Sequence, residues 1–227
     1  MMNIERFCTL LFYVLSFLVS VTAERQWIYQ PAYGWDRQWK QGVWNYMDKV
    51  PAERGRIAII GSVLIQTYSH ANASVLDVGC AEGPLTDFLT PGQRERYLGV
   101  DISKVVVARA SRIRYPMKFV NSVAHEFHTS EKWDVIVLSE ILMHVEHEKI
   151  LKQYEQYLAP NGIIIISVFT LDGPDKYGEI FKFSREYFEV VDRMELSGYT
   201  SSAKTTGERL WYTSRIDVYK PKPHAAA

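Results

Sequence analysis

Two carboxylates, with a run of small residues between them, carry the chemistry this chain can do. Val75 to Gly83 reads V-L-D-V-G-C-A-E-G. It is an apolar stretch suited to a buried parallel strand, with Asp77 near its carboxyl end. It runs into a turn where Gly79 and Gly83 let the backbone approach a ligand without Cβ interference. Tyr97 to Asp101, Y-L-G-V-D, is a second apolar run closed by an acid. Its spacing suits a carboxylate that accepts hydrogen bonds from the two hydroxyls of a ribose. Ser103 then offers an N-cap for a helix over Lys104 to Arg114.

These segments resemble the class I S-adenosylmethionine-dependent methyltransferases over most of the chain, from about Ser74 to Tyr219. Motif I corresponds to V-L-D-V-G-C-A-E-G-P-L-T, motif II to Y-L-G-V-D-I-S and the adenine segment to F-V-N-S-V-A-H-E-F. The next strand reads W-D-V-I-V-L-S-E-I-L-M-H-V, and Leu158 to Ser167 supplies the following helix-to-strand passage. The resemblance implies S-adenosyl-L-methionine as cofactor. It places Asp77, Gly79, Cys80, Ala81 and Gly83 around its methionine part and ribose, Asp101 on the ribose hydroxyls, and Ile102, Ser122 and Val123 along the adenine. Ser139 and Glu140 join the cofactor set because ligands sit at the carboxyl ends of strands in such sheets.

Two positions depart from the family pattern. Ala81 stands where a middle glycine is usual, a small change unless φ is positive there. Ser122 stands where an aspartate often meets the adenine amino group. A nicotinamide dehydrogenase is the nearest rival for this architecture, but its G-x-G-x-x-G/A fingerprint would place Pro84 where close helix packing is needed.

His144, just beyond the fourth strand, is the candidate general base, since imidazole accepts a proton near neutral pH. The same position is also read as a structural histidine opening the next loop. The pairs His125/His128 and His144/His147 lack the accompanying cysteines or carboxylates that specify a zinc site, so no metal is expected.

Ile57, Ile60, Leu64 and Tyr68 fall on one face of a helix expected at Ala52 to Tyr68. Pro84 to Leu89 is expected to open the first helix of the core, with Pro91-Gly92 breaking the chain. Met117 to Asn121 and Trp133 to Leu138 read as strands, Glu146 to Leu158 as a helix ended by Asn161-Gly162, and Ile163 to Val168 as a fifth strand. Ser184 reads as the cap of a short helix. Phe188 to Leu196 and Leu210 to Tyr219 then have no helix between them and should pair antiparallel. The expected fold is an α/β, Rossmann-like, seven-stranded sheet, mostly parallel with an antiparallel C-terminal hairpin and helices on both faces.

With 227 residues and 47% hydrophobic content, the chain can bury one sizeable core. Its formal charge is zero, so no basic field favours nucleic acid. The S-E-I-L at the fourth strand also differs from the Asn/Asp-Pro-Pro-Tyr element of many amino-methylating DNA enzymes. Phe7 to Ala23 is an uncharged apolar run preceded by Arg6, read either as a secretory signal peptide or as a membrane anchor at the short limit for a span. Arg6 before it against Arg25, Arg37 and Lys40 after it favours a cytosolic carboxyl side. Cys8 and Cys80 form no disulfide framework, and the sequon Asn72-Ala73-Ser74 abuts a buried strand, so neither fixes a compartment.

The expected division is a signal peptide or anchor at 1–23, an aromatic-rich arm and helix at 24–72, a methyltransferase domain at 73–220 and a disordered tail at 221–227. Trp27, Tyr29, Tyr33, Trp35, Trp39, Trp44 and Tyr46 of the arm either pack onto the domain or form a lid over cofactor and acceptor. The expected activity is methyl transfer by in-line displacement to a small or lipid-like acceptor, with membrane attachment through residues 7–23. The contrasting reading is a methyltransferase-like binding or scaffold protein without turnover.

Overall fold

The computed structural model describes residues 30–45, 47, 50–171, 177–199 and 211–223. Its strands are β1 Val75–Val78, β2 Tyr97–Asp101, β3 Lys118–Asn121, β4 Trp133–Ser139, β5 Leu158–Leu171, β6 Phe188–Tyr199 and β7 Trp211–Pro221. They form one sheet in the order β3-β2-β1-β4-β5-β7-β6. The first five pair parallel, while β7 lies antiparallel between β5 and β6. The C-terminal pair is therefore the expected hairpin at the sheet edge, returning its second strand to the interior.

Alternation along the central strands divides their side chains between two packed layers. Leu76, Val78, Ile136, Leu138, Ile164 and Ile166 face helices α5 (His147–Glu155) and α6 (Gly178–Tyr187), which contribute Ile150, Leu151, Tyr154, Ile180 and Phe181. Val75, Val135, Val137, Ile163 and Ile165 face the other way, onto Ile57, Ile60, Leu64 and Ile65 of helix α2 (residues 51–68). Burial on both faces explains why the centres of β4, Val135 to Leu138, and of β5, Ile163 to Ile166, read as continuous apolar runs, while β1 carries the buried Asp77 among its apolar residues.

Helix α2 is not a uniform α-helix. It runs α-helical over Pro51–Ala58, passes through a π segment at Ile59–Leu64 and ends in an α turn at Ile65–Tyr68. Ile57, Ile60 and Leu64 are buried as their spacing predicts. Tyr68, at the end of the stripe, instead donates its hydroxyl to Asp192 at 2.7 Å.

Four sequence expectations need correction. Pro84 to Leu89 is a single 3-10 stretch, Pro84–Phe88, and the short helix α3 (Pro91–Glu95) begins where Pro91-Gly92 was expected to break the chain. Proline is at home in a first helical turn, and Thr90 with Gln93 forms a reciprocal capping box around it. Helix α5 ends at Glu155, short of Asn161-Gly162, because Leu158 already pairs with Trp133. The ladder then shifts register before Val135 meets Ile163, and Asn161 takes φ +66° in the intervening bulge. Ser184 lies inside α6, its hydroxyl donating back to the Ile180 carbonyl at 2.7 Å.

Helix α1 (Ala32–Lys40) and helix α4 (Lys104–Ile113) complete the architecture. Strand β7 reaches Pro221, and Lys222 Nζ donates to the Arg185 and Glu186 carbonyls at 3.0 and 2.6 Å. Residues 224–227 of the expected tail, the apolar run 7–23, and Trp27, Tyr29 and Tyr46 of the arm lie outside the described residues. Among the described residues, no helix is long and apolar enough to cross a membrane.

Candidate functional site

The sheet order reverses between β1 and β4, where loops leave the carboxyl ends of the strands in opposite directions and open a crevice. A cavity of about 760 Å³ occupies this place. Its wall includes every residue the sequence proposes for the site except Gly83, which lies one turn behind it.

The turn after β1 holds three residues in the left-handed region: Gly79 at φ +75°, Ala81 at +50° and Gly83 at +72°. A Cβ on Gly83 would also stand 2.9 Å from the Phe119 ring, so glycine is required there twice over. Ala81 meets the one condition under which alanine is not an innocent replacement, since left-handed φ costs an L-residue about 1–2 kcal/mol. Its N–H donates to Asp101 Oδ2 at 3.0 Å, which holds the conformation. Gly79 N–H and Cys80 N–H both donate to the Val100 carbonyl, at 2.7 and 3.1 Å. The loop after β1 is thereby bound to the end of β2.

Asp77 is buried and accepts the Tyr97 hydroxyl at 2.8 Å. Burial pushes its carboxyl up to about 7, and the Asp101 charge adds to that, while the Tyr97 hydrogen bond and Arg56 oppose it. Asp101 Oδ1 accepts the Ser103 N–H at 2.8 Å, beside the Ala81 contact on Oδ2. Burial raises Asp101 to about 6 against those two N–H donors. Burial also pushes the Cys80 thiol well up, so it is a packed thiol and no nucleophile. Ile102, Ser122 and Val123 line the same wall. Ser122 N–H donates to the Asp101 carbonyl at 3.0 Å and its hydroxyl to the Val123 carbonyl at 3.1 Å.

Ser139 and Glu140, at the end of β4, line the cavity but direct their polar atoms into a network. Ser139 Oγ meets Ser167 Oγ at 2.9 Å and accepts from Arg56 Nη1. Glu140, itself left-handed at φ +59°, accepts Ser167 Oγ at 3.0 Å on Oε1 and Phe169 N–H at 2.9 Å on Oε2. Burial raises its carboxyl, with Arg56 the largest opposing influence. Arg56 itself is only 3% exposed. It and Glu53 are site residues the sequence reading did not single out, although Arg56, Ile60 and Leu64 lie four residues apart on one stripe. A cation in an apolar stripe is a signal that a partner waits inside.

His144 closes the 3-10 turn Leu142–His144, with its ring edge-on to Trp35 at 5.1 Å. His125 also reaches the cavity, but His128 Nδ1 meets the Tyr157 hydroxyl at 3.1 Å and His147 packs edge-on to Phe183. The four imidazoles thus go to separate partners. Among the described residues, no group of three or more His, Cys, Asp or Glu side chains is placed to hold a metal ion.

The arm covers the cavity with Trp35, Trp39 and Trp44, the first and last stacked at 5.7 Å, whereas Tyr33 is exposed. What ties the arm down is Asp36, a second residue not foreseen. Its Oδ1 accepts the Ser103 hydroxyl at 2.7 Å and the Val105 N–H at 3.2 Å, capping α4 from another helix. Asp36→Ala is expected to lower stability by about 1 kcal/mol, the worth of a helix cap, and to shift tryptophan emission to the red as the arm loosens. Urea unfolding followed by fluorescence measures both, and an unchanged midpoint and spectrum would count against the latch.

A family model described as a methyltransferase domain matches residues 54–211. Nodulation protein S of Rhizobium tropici is 26% identical over 165 residues, covering 67% of this chain and 68% of that protein. Malonyl-[acyl-carrier protein] O-methyltransferase of Halalkalibacterium halodurans is 23% identical over 143 residues, 58% of this chain and 52% of its own length, so the chain spans about half of that relative. Among solved structures, N-methyltransferase NodS from Bradyrhizobium japonicum in complex with S-adenosyl-L-homocysteine superposes with TM-score 0.61 at 19% identity, covering 78% of this chain and 91% of that one.

Proposed function

This chain belongs to the methyltransferase-domain family as a class I S-adenosylmethionine-dependent enzyme, and we propose that it methylates a small or lipid-like acceptor by in-line displacement. The residues present fit the cofactor. Asp101 combines a half-buried carboxylate with a fixed orientation, held by two backbone N–H groups, as a ribose diol requires. Gly79 and Ala81 present bare backbone beside Asp77, which suits the cationic methionine end. Ile102, Ser122 and Val123 offer a flat, mostly apolar wall for the adenine.

When bound, the cofactor supplies an electrophilic methyl group that needs no activation by the protein. The chain's own work is then to align an acceptor, exclude water and take up a proton, and alignment alone provides several kcal/mol, on the order of 7 or more in favourable cases. Trp35, Trp39 and Trp44 exclude water, and His144, held against Trp35, is the proposed proton acceptor.

The observation that carries the small-acceptor reading is the cavity itself. Its roughly 760 Å³ lies in the range of small-molecule sites and is walled largely by aromatic and aliphatic side chains. The relatives' names, an N-methyltransferase and a malonyl-[acyl-carrier protein] O-methyltransferase, support methyl transfer, and the size of the acceptor is argued from the cavity. The apolar run 7–23 supports a membrane-targeted enzyme, an inference that rests on the sequence alone. With labelled S-adenosyl-L-methionine and a fractionated cell extract, label is expected in the low-mass and organic-soluble fractions. Label confined to protein or nucleic acid would overturn this reading.

A further inference from the structure

We propose that the acceptor is a protonated amine and that Glu53, anchored by the buried Arg56, is the carboxylate that selects it. The inference rests on the methyl-transfer reading above and names the chemistry of its substrate.

Asp101 ends β2, whereas Ser139 ends β4 with Glu140 next to it, and Ser167 and Phe169 belong to β5. In the order β2-β1-β4-β5 the two ends of the cavity stand three strand spacings apart, about 14 Å. The proposed adenosyl contacts occupy the β2 and β1 end. The cluster of Glu53, Arg56, Ser139 and Glu140 faces the other end, beside Phe169 and Ile57.

Among the described residues, the cluster's charge is not balanced within itself. Arg56 brings one positive charge, and Glu53 and Glu140 bring two negative ones. Among the described residues, the wall's other lysine or arginine is Lys149, which is exposed and pairs with Glu146 at 2.6 Å. Arg56 is also committed: Nη1 donates to Ser139 Oγ and, at 3.3 Å, to Ser167 Oγ, Nη2 to Glu53 Oε2 at 2.5 Å, and Nε faces Glu140 Oε1 at 3.4 Å. With every guanidinium nitrogen engaged, it is not a fork for an incoming carboxylate. An anionic acceptor would therefore meet an excess of negative charge without a clamp.

The two carboxylates differ in what they can still do. Glu140 accepts on both oxygens from Ser167 and Phe169, and so fixes Arg56 as a positioning residue. Glu53 meets Arg56 through Oε2, in the first turn of α2, and is 13% exposed toward the cavity. An ammonium beside Glu53 completes the charge balance, and the tryptophan rings of the arm can face the cation and its apolar body. Glu53, beside the proposed ammonium, and His144 are then two groups of the wall able to accept the proton an amine sheds before methylation.

The test uses the full chain saturated with S-adenosylhomocysteine and two probes of the same shape and opposite charge, 2-phenylethylamine and 3-phenylpropionate, titrated by calorimetry. The amine is expected to bind about tenfold or more tightly than the acid. Glu53→Gln should weaken the amine by about tenfold while leaving S-adenosylhomocysteine affinity unchanged, and Glu53→Asp should restore the preference. A preference for the acid, an amine affinity indifferent to Glu53→Gln, or binding of neither probe overturns the proposal. So does a loss in Glu53→Gln that falls on S-adenosylhomocysteine, since Glu53 would then serve the cofactor. Failure of the wild-type chain to bind S-adenosylhomocysteine would instead strike the cofactor reading beneath it.

Discussion

Asp101→Ala is expected to lower the affinity for S-adenosylhomocysteine by about two orders of magnitude or more. The carboxylate accepts the N–H groups of Ala81 and Ser103, so its removal strands two donors and frees the loop after β1 from the end of β2. A stranded donor costs about 1–3 kcal/mol when buried, and Ala81 loses the contact that holds its left-handed φ. The ribose contact proposed for the same carboxylate is lost as well. Asp101→Asn separates these effects, because an amide keeps one acceptor but turns an NH₂ group toward one of the two N–H donors. Its affinity should fall between those of the wild type and Asp101→Ala. With the carboxyl raised to about 6, wild-type affinity should also decline as pH falls through 6, and the share of that decline owed to Asp101 should be absent in Asp101→Ala, leaving only the share owed to Asp77. Calorimetry across pH reads both, and an alanine variant binding within about threefold of wild type would remove Asp101 from the cofactor site.

The parts of this site that were legible in the sequence are those fixed by local chemistry. Asp77, Gly79 and Asp101 sit on a strand, a turn and a strand whose residue types admit few other conformations, and Gly83 completes that turn outside the cavity wall. Their positions follow from chain neighbours and strand order alone. The hairpin at Phe188–Tyr199 and Trp211–Pro221 was legible for a similar reason, since two strand-like runs without a crossover helix pair antiparallel.

Interactions between distant segments were not legible. Arg56 reaches Ser139 and Ser167 across 83 and 111 residues, and Asp36 reaches Ser103 across 67. Nothing local marks such a partner beyond a charge in an apolar stripe or a carboxylate in an aromatic arm. Helix boundaries failed where tertiary pairing overrode a local stop signal. Asn161-Gly162 looks like a helix end, but the pairing of Leu158 with Trp133 and the buried isoleucine run draw the chain into the sheet earlier. The same competition explains Ser184, whose hydroxyl serves equally as a cap or as a donor to a carbonyl one turn back.

A stability cost should accompany the proposed cofactor site, and Asp77→Asn is expected to expose it. Asp77 is buried on a central strand, and its carboxyl stands at about 7 in the fold against 3.8 for the free side chain. Because the folded value is the higher one, the folded state holds the proton more tightly. The contribution of this group to stability is full below pH 3.8 and is lost as pH rises through 7. At pH 8 the wild-type apoprotein therefore carries a buried charge that asparagine would not. Asparagine is nearly isosteric, and its carbonyl can still accept the Tyr97 hydroxyl. The shift sets an upper bound on the order of 4 kcal/mol, and Asp77→Asn should gain about 1–3 kcal/mol at pH 8 after relaxation around the site. The gain should shrink toward zero by pH 4, which denaturant unfolding at several pH values measures. A cationic cofactor placed beside Asp77 favours its ionised form, so binding of S-adenosyl-L-methionine near pH 6.5 should release a proton from the wild type and none from this group in Asp77→Asn. Titration in two buffers of different protonation enthalpy counts that proton. Equal release by both proteins would separate Asp77 from the cofactor's charge, and a variant no more stable than wild type at pH 8 would overturn the cost of its buried carboxylate.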